Sequence, residues 1–126
     1  MENIAIPAAK NKPEVLYLPE SKTLELKGRS IPENAEEFYQ QIKDWIAANR
    51  EAISSGGISL NVHLEYFNTS SYKCLLDLFK NFDAINTAGN IVINWYYDAD
   101  DEDMLEAGED LLSYVKLQRN LIEVEE

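Results

Sequence analysis

Two apolar periodicities alternate along the 126-residue chain, and their succession is what the sequence states most plainly. From Ile58 to Phe67 the period is two, with Ile58, Leu60, Val62, Leu64 and Tyr66 on one side and Ser59, Asn61, His63 and Glu65 on the other. That pattern predicts a strand with a single buried face. Ile91, Ile93, Trp95 and Tyr97 repeat it. Nearer the N-terminus, Glu14-Val15-Leu16-Tyr17-Leu18 and Thr23-Leu24-Glu25-Leu26-Lys27 flank Pro19-Glu20-Ser21-Lys22, which predicts an antiparallel hairpin. Between the strands the spacing turns helical. Phe38, Ile42, Trp45, Ile46 and Ile53 form one stripe, opened by Asn34 with Glu37 in a capping-box arrangement and closed by Ser54-Ser55-Gly56-Gly57. Tyr72, Leu75, Leu76 and Phe79 form a second, after Asn68-Thr69-Ser70-Ser71, and Leu105, Gly108, Leu111, Leu112 and Val115 a third. Residues 120–125 suit a final short strand.

The succession ββαβαβαβ predicts an α/β fold in one domain over residues 1–126, with a mixed five-stranded sheet. Strands joined through helices run parallel, by right-handed crossovers. A sheet covered on both sides reads as continuous Val, Ile and Leu, and the strand from Ile58 instead carries polar residues at alternate positions. The three helices are therefore expected mainly on one face, with the strands in spatial order 1-2-3-4-5 and the other face largely bare.

Charge narrows the functional classes. The net charge is −12, and the half from residue 64 onward carries fourteen acids against four bases. Nucleic acid and anionic membrane are poor partners for such a chain, because phosphate is gripped by clustered Lys and Arg. The single Cys74 excludes an internal disulfide, MENIAIPAAK lacks a basic n-region, and no apolar run reaches the ~18 residues of a membrane helix. A cytoplasmic, soluble protein is expected, with no cofactor.

Most catalytic constellations lack their residues. His63 is the only histidine, placed mid-strand on the polar side; Cys74 has no second cysteine for a redox or zinc pair; and no glycine-rich phosphate loop occurs. The run Asp98-Ala99-Asp100-Asp101-Glu102-Asp103 is a stronger candidate. A calcium loop counted from Asp98 puts Asp103 where the sharp turn needs Gly, and the helical stripe from Met104 runs through it. Acids at a helix N-terminus explain part of the run, at about 0.3 to 1 kcal/mol each. Their surplus leaves open a basic partner surface, a loosely held Mg²⁺, or a small metal-dependent hydrolase using Asp98, Asp100, Asp101 and Asp103, although no nucleophile or cationic clamp accompanies them. A purely structural interaction subunit is the remaining reading.

Tyr66-Phe67-Asn68-Thr69-Ser70-Ser71 is the other candidate. Asn, Thr and Ser at a strand-to-helix junction are ordinary capping residues. The same geometry presents a hydroxyl that can carry phosphate against free backbone N–H groups. Both segments leave the C-terminal ends of neighbouring parallel strands, so Thr69 and the carboxylates of residues 98–103 are expected side by side.

The chain resembles the SiaC family of bacterial regulatory phosphoproteins. The resemblance rests on Gly28-Arg29-Ser30 through Pro32-Glu33-Asn34-Ala35 with Phe38-Tyr39, on Tyr66 to Ser71 with Lys73, and on Trp95-Tyr96-Tyr97-Asp98 continuing through Asp101 to Asp110. It spans almost the whole chain. It implies a domain like the STAS anti-sigma-factor antagonists, with Thr69 phosphorylated by a partner-switching serine/threonine kinase and restored by a metal-dependent phosphatase. The unmodified protein is then expected to bind and activate a diguanylate cyclase, acting on cyclic di-GMP and biofilm formation, without being an enzyme itself. Asn-Thr-Ser-Ser replaces the Asp-Ser-Gly type of turn of those antagonists, so sigma-factor partners do not carry over. The expected docking residues are Tyr66, Asn68, Thr69, Ser70, Ser71, Lys73, Asp98, Asp100, Asp101 and Asp103, with Lys73 pairing the phosphate.

Overall fold

The computed structural model describes residues 1–125. Among them the elements follow in the order β1 (Ala5–Ile6), β2 (Glu14–Leu18), β3 (Thr23–Ser30), α1 (Ala35–Ala48), α2 (Arg50–Gly56), β4 (Ile58–Phe67), α3 (Thr69–Ala84), β5 (Ile91–Asp98), α4 (Glu102–Leu112) and β6 (Gln118–Val124). They form one sheet in the spatial order β1-β2-β3-β4-β5-β6. β2 lies antiparallel to β1 and β3, while β3, β4, β5 and β6 are mutually parallel. The α/β class and the stepwise strand order are those expected.

Two elements exceed the expectation. β1 is a two-residue strand pairing Ala5 with Leu16 and Ile6 with Val15, too short to write an alternation into the sequence. The first helix is divided at Asn49. That side chain is buried, donates to the Trp45 carbonyl at 2.8 Å and accepts from the Glu2 N–H at 2.8 Å, so it draws the backbone out of helical register.

The buried positions of β2, β3, β4 and β5 fall on one face. Leu24, Leu60 and Ile93 lie in one lateral row, and Leu26, Val62 and Trp95 in the next. Trp95 is the hub of this layer, fully buried, with Phe67 at 6.2 Å and Phe79 at 6.3 Å in edge-on contact. Its indole N–H donates to the Met104 carbonyl at 3.0 Å, which satisfies its one polar atom and lays α4 on the sheet. Gly108 makes that approach possible, since a Cβ there would stand 2.4 Å from the indole nitrogen.

The opposite face carries no helix layer, and its polar positions bond to one another across the strands. Asn120 donates to Asn94 at 2.9 Å, and Asn94 to Asn61 at 2.9 Å. The polar half of the alternation thus forms an amide ladder of its own.

One irregularity repositions the rim. Gly28 pairs with Leu64 but Arg29 pairs with Tyr66, so Glu65 is an extra residue and β4 bulges. Gly28 takes φ +118°, a conformation that a side chain would strain. The bulge reverses the alternation. Tyr66, expected on the core side, is 51% exposed, and Phe67 packs against the core instead.

Substituting Gly108→Ala should destabilise the protein by about 1 to 3 kcal/mol, because the methyl collides with a tryptophan that has nowhere to retreat. A urea midpoint unchanged from wild type would contradict the close approach of α4 to Trp95.

Candidate functional site

The helix α3 starts where its sequence dictates. Asn68 is extended, with φ −92° and ψ 177°, and its side-chain oxygen accepts from the Ser71 N–H at 2.9 Å. Its own N–H donates to the Ser30 carbonyl at 3.2 Å, which ties the cap to the end of β3. Thr69 and Ser70 follow as the first helical residues, and both are exposed. Their N–H groups lie in the turn that has no intrahelical acceptor, so the helix opens toward solvent at these two hydroxyls.

Ser71 belongs to a different environment, and its place among the expected docking residues is corrected by its burial. It is fully buried, as is Ser30, and the two join Tyr39 in a directional chain. The Tyr39 phenol donates to Ser30 Oγ at 2.6 Å, Ser30 Oγ–H donates to Ser71 Oγ at 2.8 Å, and Ser71 Oγ–H donates to the Ser30 carbonyl at 2.8 Å. Every hydroxyl proton has an acceptor. The chain binds α1, β3 and α3 together beneath Thr69, and burial holds the Tyr39 phenol well above its ordinary pKa. Of these residues, sequence reasoning had placed Ser30 and Tyr39 within a family motif without giving them a role. A serine or tyrosine destined for a sealed site looks in sequence like one on the surface.

A second tie holds the other side of the helix start. Tyr72 stacks on Phe67 with ring centroids 6.3 Å apart, and its hydroxyl donates to the Asp110 carboxylate of α4. That bond, with burial second, pushes the phenol up to about 12.

The expected acids divide among separate tasks. Asp101 caps α4, its carboxylate accepting from the Met104 N–H at 3.0 Å. Asp98 lies 3.5 Å from His63 Nε2, both side chains half-exposed on the bare sheet face, so the mid-strand histidine does meet a partner. Asp100 and Asp103 are exposed. Among the described residues no three acidic, histidine or cysteine side chains converge as a cation site.

The ladder between β4 and β5 runs from Ile58 and Ile91 to Val62 and Trp95 and stops there. Beyond it β4 leads into Thr69, and β5 leads into the acidic segment, at the same end of neighbouring parallel strands. Two cations flank this rim. Arg29 lies over the Tyr66 ring at 5.9 Å from its centroid, a contact created by the bulge and invisible in the sequence pattern. Lys73 is exposed one turn beyond Thr69 and makes no ion pair among the described residues. Beside Ser70 and Lys73 an open groove of about 670 Å³ lies between α3 and α1; partial burial raises the pKa of the Cys74 thiol in its wall.

The fold and the rim define an α/β domain with a mixed, sequentially ordered sheet that presents hydroxyls at a helix start, at the same end of the sheet as an acidic segment. The sequence model of the SiaC family of regulatory phosphoproteins matches residues 6–124, and the chain belongs to that family. An uncharacterized protein of Pseudomonas aeruginosa (strain UCBPP-PA14) is 29% identical over 114 residues, which are 87% of either chain. Apo-SiaC of Pseudomonas aeruginosa superposes with a TM-score of 0.79 at 25% identity, over 97% of this chain and 99% of that one. The SiaC solved in complex with the diguanylate cyclase SiaD, which it activates, gives 0.82 at 25% identity, over 96% of this chain and 99% of that one.

Two outcomes are expected of the hydroxyl chain. Ser71→Ala strands the Ser30 proton in a sealed site and should cost about 1 to 3 kcal/mol in chemical denaturation. Ser70→Ala, next to it but exposed, should stay within about 0.5 kcal/mol of wild type. Because the Tyr39 phenol is raised in the folded state, its contribution is complete below pH 10 and is lost as the pH climbs above that value. Denaturation midpoints across the alkaline range should therefore fall less steeply for Tyr39→Phe than for wild type.

Proposed function

We propose that this protein is a non-enzymatic switch of a bacterial partner-switching system, in which reversible phosphorylation of Thr69 controls docking to a diguanylate cyclase. The observation that carries the reading is the contrast at the start of α3: the Thr69 hydroxyl is exposed at an open helix N-terminus, while Ser71 two residues on is sealed. Ser70 is exposed as well and is the one competing acceptor on the rim. Membership of a family of regulatory phosphoproteins, and a similar SiaC bound to the cyclase it activates, support the same assignment.

The physics of the switch follows from the rim. A phosphate adds about −1.5 to −2 at neutral pH. The first-turn N–H groups of α3 and the Lys73 ammonium favour it locally. Toward a partner it acts in the opposite sense, since it enlarges a field already set by Asp98, Asp100, Asp101 and Asp103. A partner surface that meets these acids does so with basic groups or with apolar groups, and a desolvated dianion penalises the apolar contact most. A coupling of about 1 to 3 kcal/mol weakens binding about 5-fold to 150-fold, which is sufficient for regulation.

The modifying enzymes are a serine/threonine kinase and a metal-dependent phosphatase, and the output is cyclic di-GMP and with it biofilm formation. The protein acts in the cytoplasm as one domain, and no described helix is long and apolar enough to cross a membrane.

Calorimetric titration of the host's SiaD-like cyclase with wild-type protein, with protein carrying authentic phosphate on Thr69, and with Thr69→Ala tests the reading directly. Tight binding by wild type and Thr69→Ala with a loss of about 5-fold or more on phosphorylation is expected. Equal affinities for the modified and unmodified protein would sink it.

A further inference from the structure

The two edges of the sheet are unlike. β1 is a two-residue strand, a short edge of the kind that resists further pairing. β6 is seven residues long, pairs only with β5, and has no buried residue along its length. Its register against β5 runs without a shift from Val92 and Gln118 to Asp98 and Val124. The Val124 carbonyl accepts from the Ala99 N–H at 3.1 Å, which fixes the even-numbered residues of β6 as those whose backbone groups turn toward β5. In a parallel pair each residue directs both groups to the same side and its neighbours direct theirs to the other. The N–H and C=O groups of Arg119, Leu121 and Glu123 therefore point away from the sheet.

We infer that β6 pairs antiparallel with β6 of a second copy of this chain, about a two-fold axis at Leu121, to make one continuous sheet. The register follows from charge. With Leu121 opposite Leu121, Arg119 of each copy stands opposite Glu123 of the other, and these are the same residues whose backbone groups are free to exchange N–H···O=C bonds. Side chains and main chain thus specify one alignment. Arg119 is already ordered on the edge, its guanidinium donating to the carbonyls of Leu112 and Val115 at the end of α4. Leu121 lies on the core side opposite Trp95, yet remains 37% exposed, and a second leucine across the axis would cover it.

The strand is also suited to self-association by its neutrality. From Gln118 to Val124 it holds one base and one acid, in a chain whose net charge is −12. Elsewhere two copies repel; along this edge the local charges cancel and then complement. A symmetric, closed pair of this kind adds no further edge for growth except the short β1 strands. Because antiparallel pairing reverses the strand direction, the two Thr69 rims emerge at opposite ends of the joined sheet and both stay open. The inference stands whether or not Thr69 is modified.

Sedimentation velocity combined with residue-resolved amide exchange by NMR tests it on the full chain. Between about 5 and about 500 µM the mass should double, as for a modest interface. Over the same range the amides of Arg119, Leu121 and Glu123 should slow by about tenfold or more, whereas those of Asn120, Ile122 and Val124, already bonded to β5, should change little. Leu121→Lys and, separately, Glu123→Arg should each weaken association by about tenfold or more while leaving the even-numbered amides protected. A chain that stays monomeric at the upper concentration overturns the inference. So does a dimer whose odd-numbered amides exchange as fast as in the monomer, or whose strength neither substitution changes, since its contact then lies elsewhere, as it does if the free edge takes only an extended peptide.

Discussion

Three hydroxyl groups closed on a backbone carbonyl decide where the rim of this molecule sits. Tyr39, Ser30 and Ser71 pass their protons in one direction and end on the carbonyl of Ser30, so the start of α3 is held from β3 and α1 at once. A polar cluster in a sealed site is costly unless every member is satisfied, and then it specifies one arrangement better than apolar packing does. Displacing α3 so that Tyr72 takes the Ser71 position would remove the small hydroxyl from the sealed site and break the chain. The exposure of Thr69 is a consequence of that register: two residues before the sealed serine, on a helix, is a position facing outward.

The electrostatics of the rim are those of tasks shared out rather than of one cluster. Asp101 is used by its own helix, Asp98 shares the bare face with His63, and Tyr72 reaches Asp110. Asp100, Glu102 and Asp103 face solvent without such duties. Their field reaches neighbours within a Debye length, about 10 Å at 0.1 M ionic strength, which covers a docking contact at the same end of the sheet and the adjoining end of β6, where Val124 pairs with Asp98.

How much of this could be read from the chain alone depends on whether the signal was periodic. The strands at Ile58 and Ile91, the three apolar stripes and the sequential strand order were legible, because burial on one face imposes alternation on a strand and a 3.6-residue stripe on a helix. The helix starts at Asn34 and Asn68 were legible for a local reason, a side chain accepting from a backbone N–H three residues on. The split at Asn49 was not, since it depends on an N-terminal residue, Glu2, arriving from 47 positions away. Nor was the reversal at Tyr66, for a bulge of one residue follows from the pairing partner and leaves the spacing of β4 itself unbroken.

What the sequence by itself determined is the inventory and its order: a mixed α/β fold, an accessible hydroxyl segment at a helix start, a surplus of acid at the end of the next strand, and too few histidines and cysteines for most catalytic chemistry. What only the tertiary structure decided is which members of that inventory share an environment. Ser71 went inside and Ser70 outside, Arg29 came to lie over Tyr66, and one edge of the sheet was left long and open while the other was cut short. Local propensity and periodicity act over a few residues and leave their mark in the sequence. Hydroxyl networks, bulge registers and sheet edges arise between segments that are distant in the chain, and nothing in either segment alone records them.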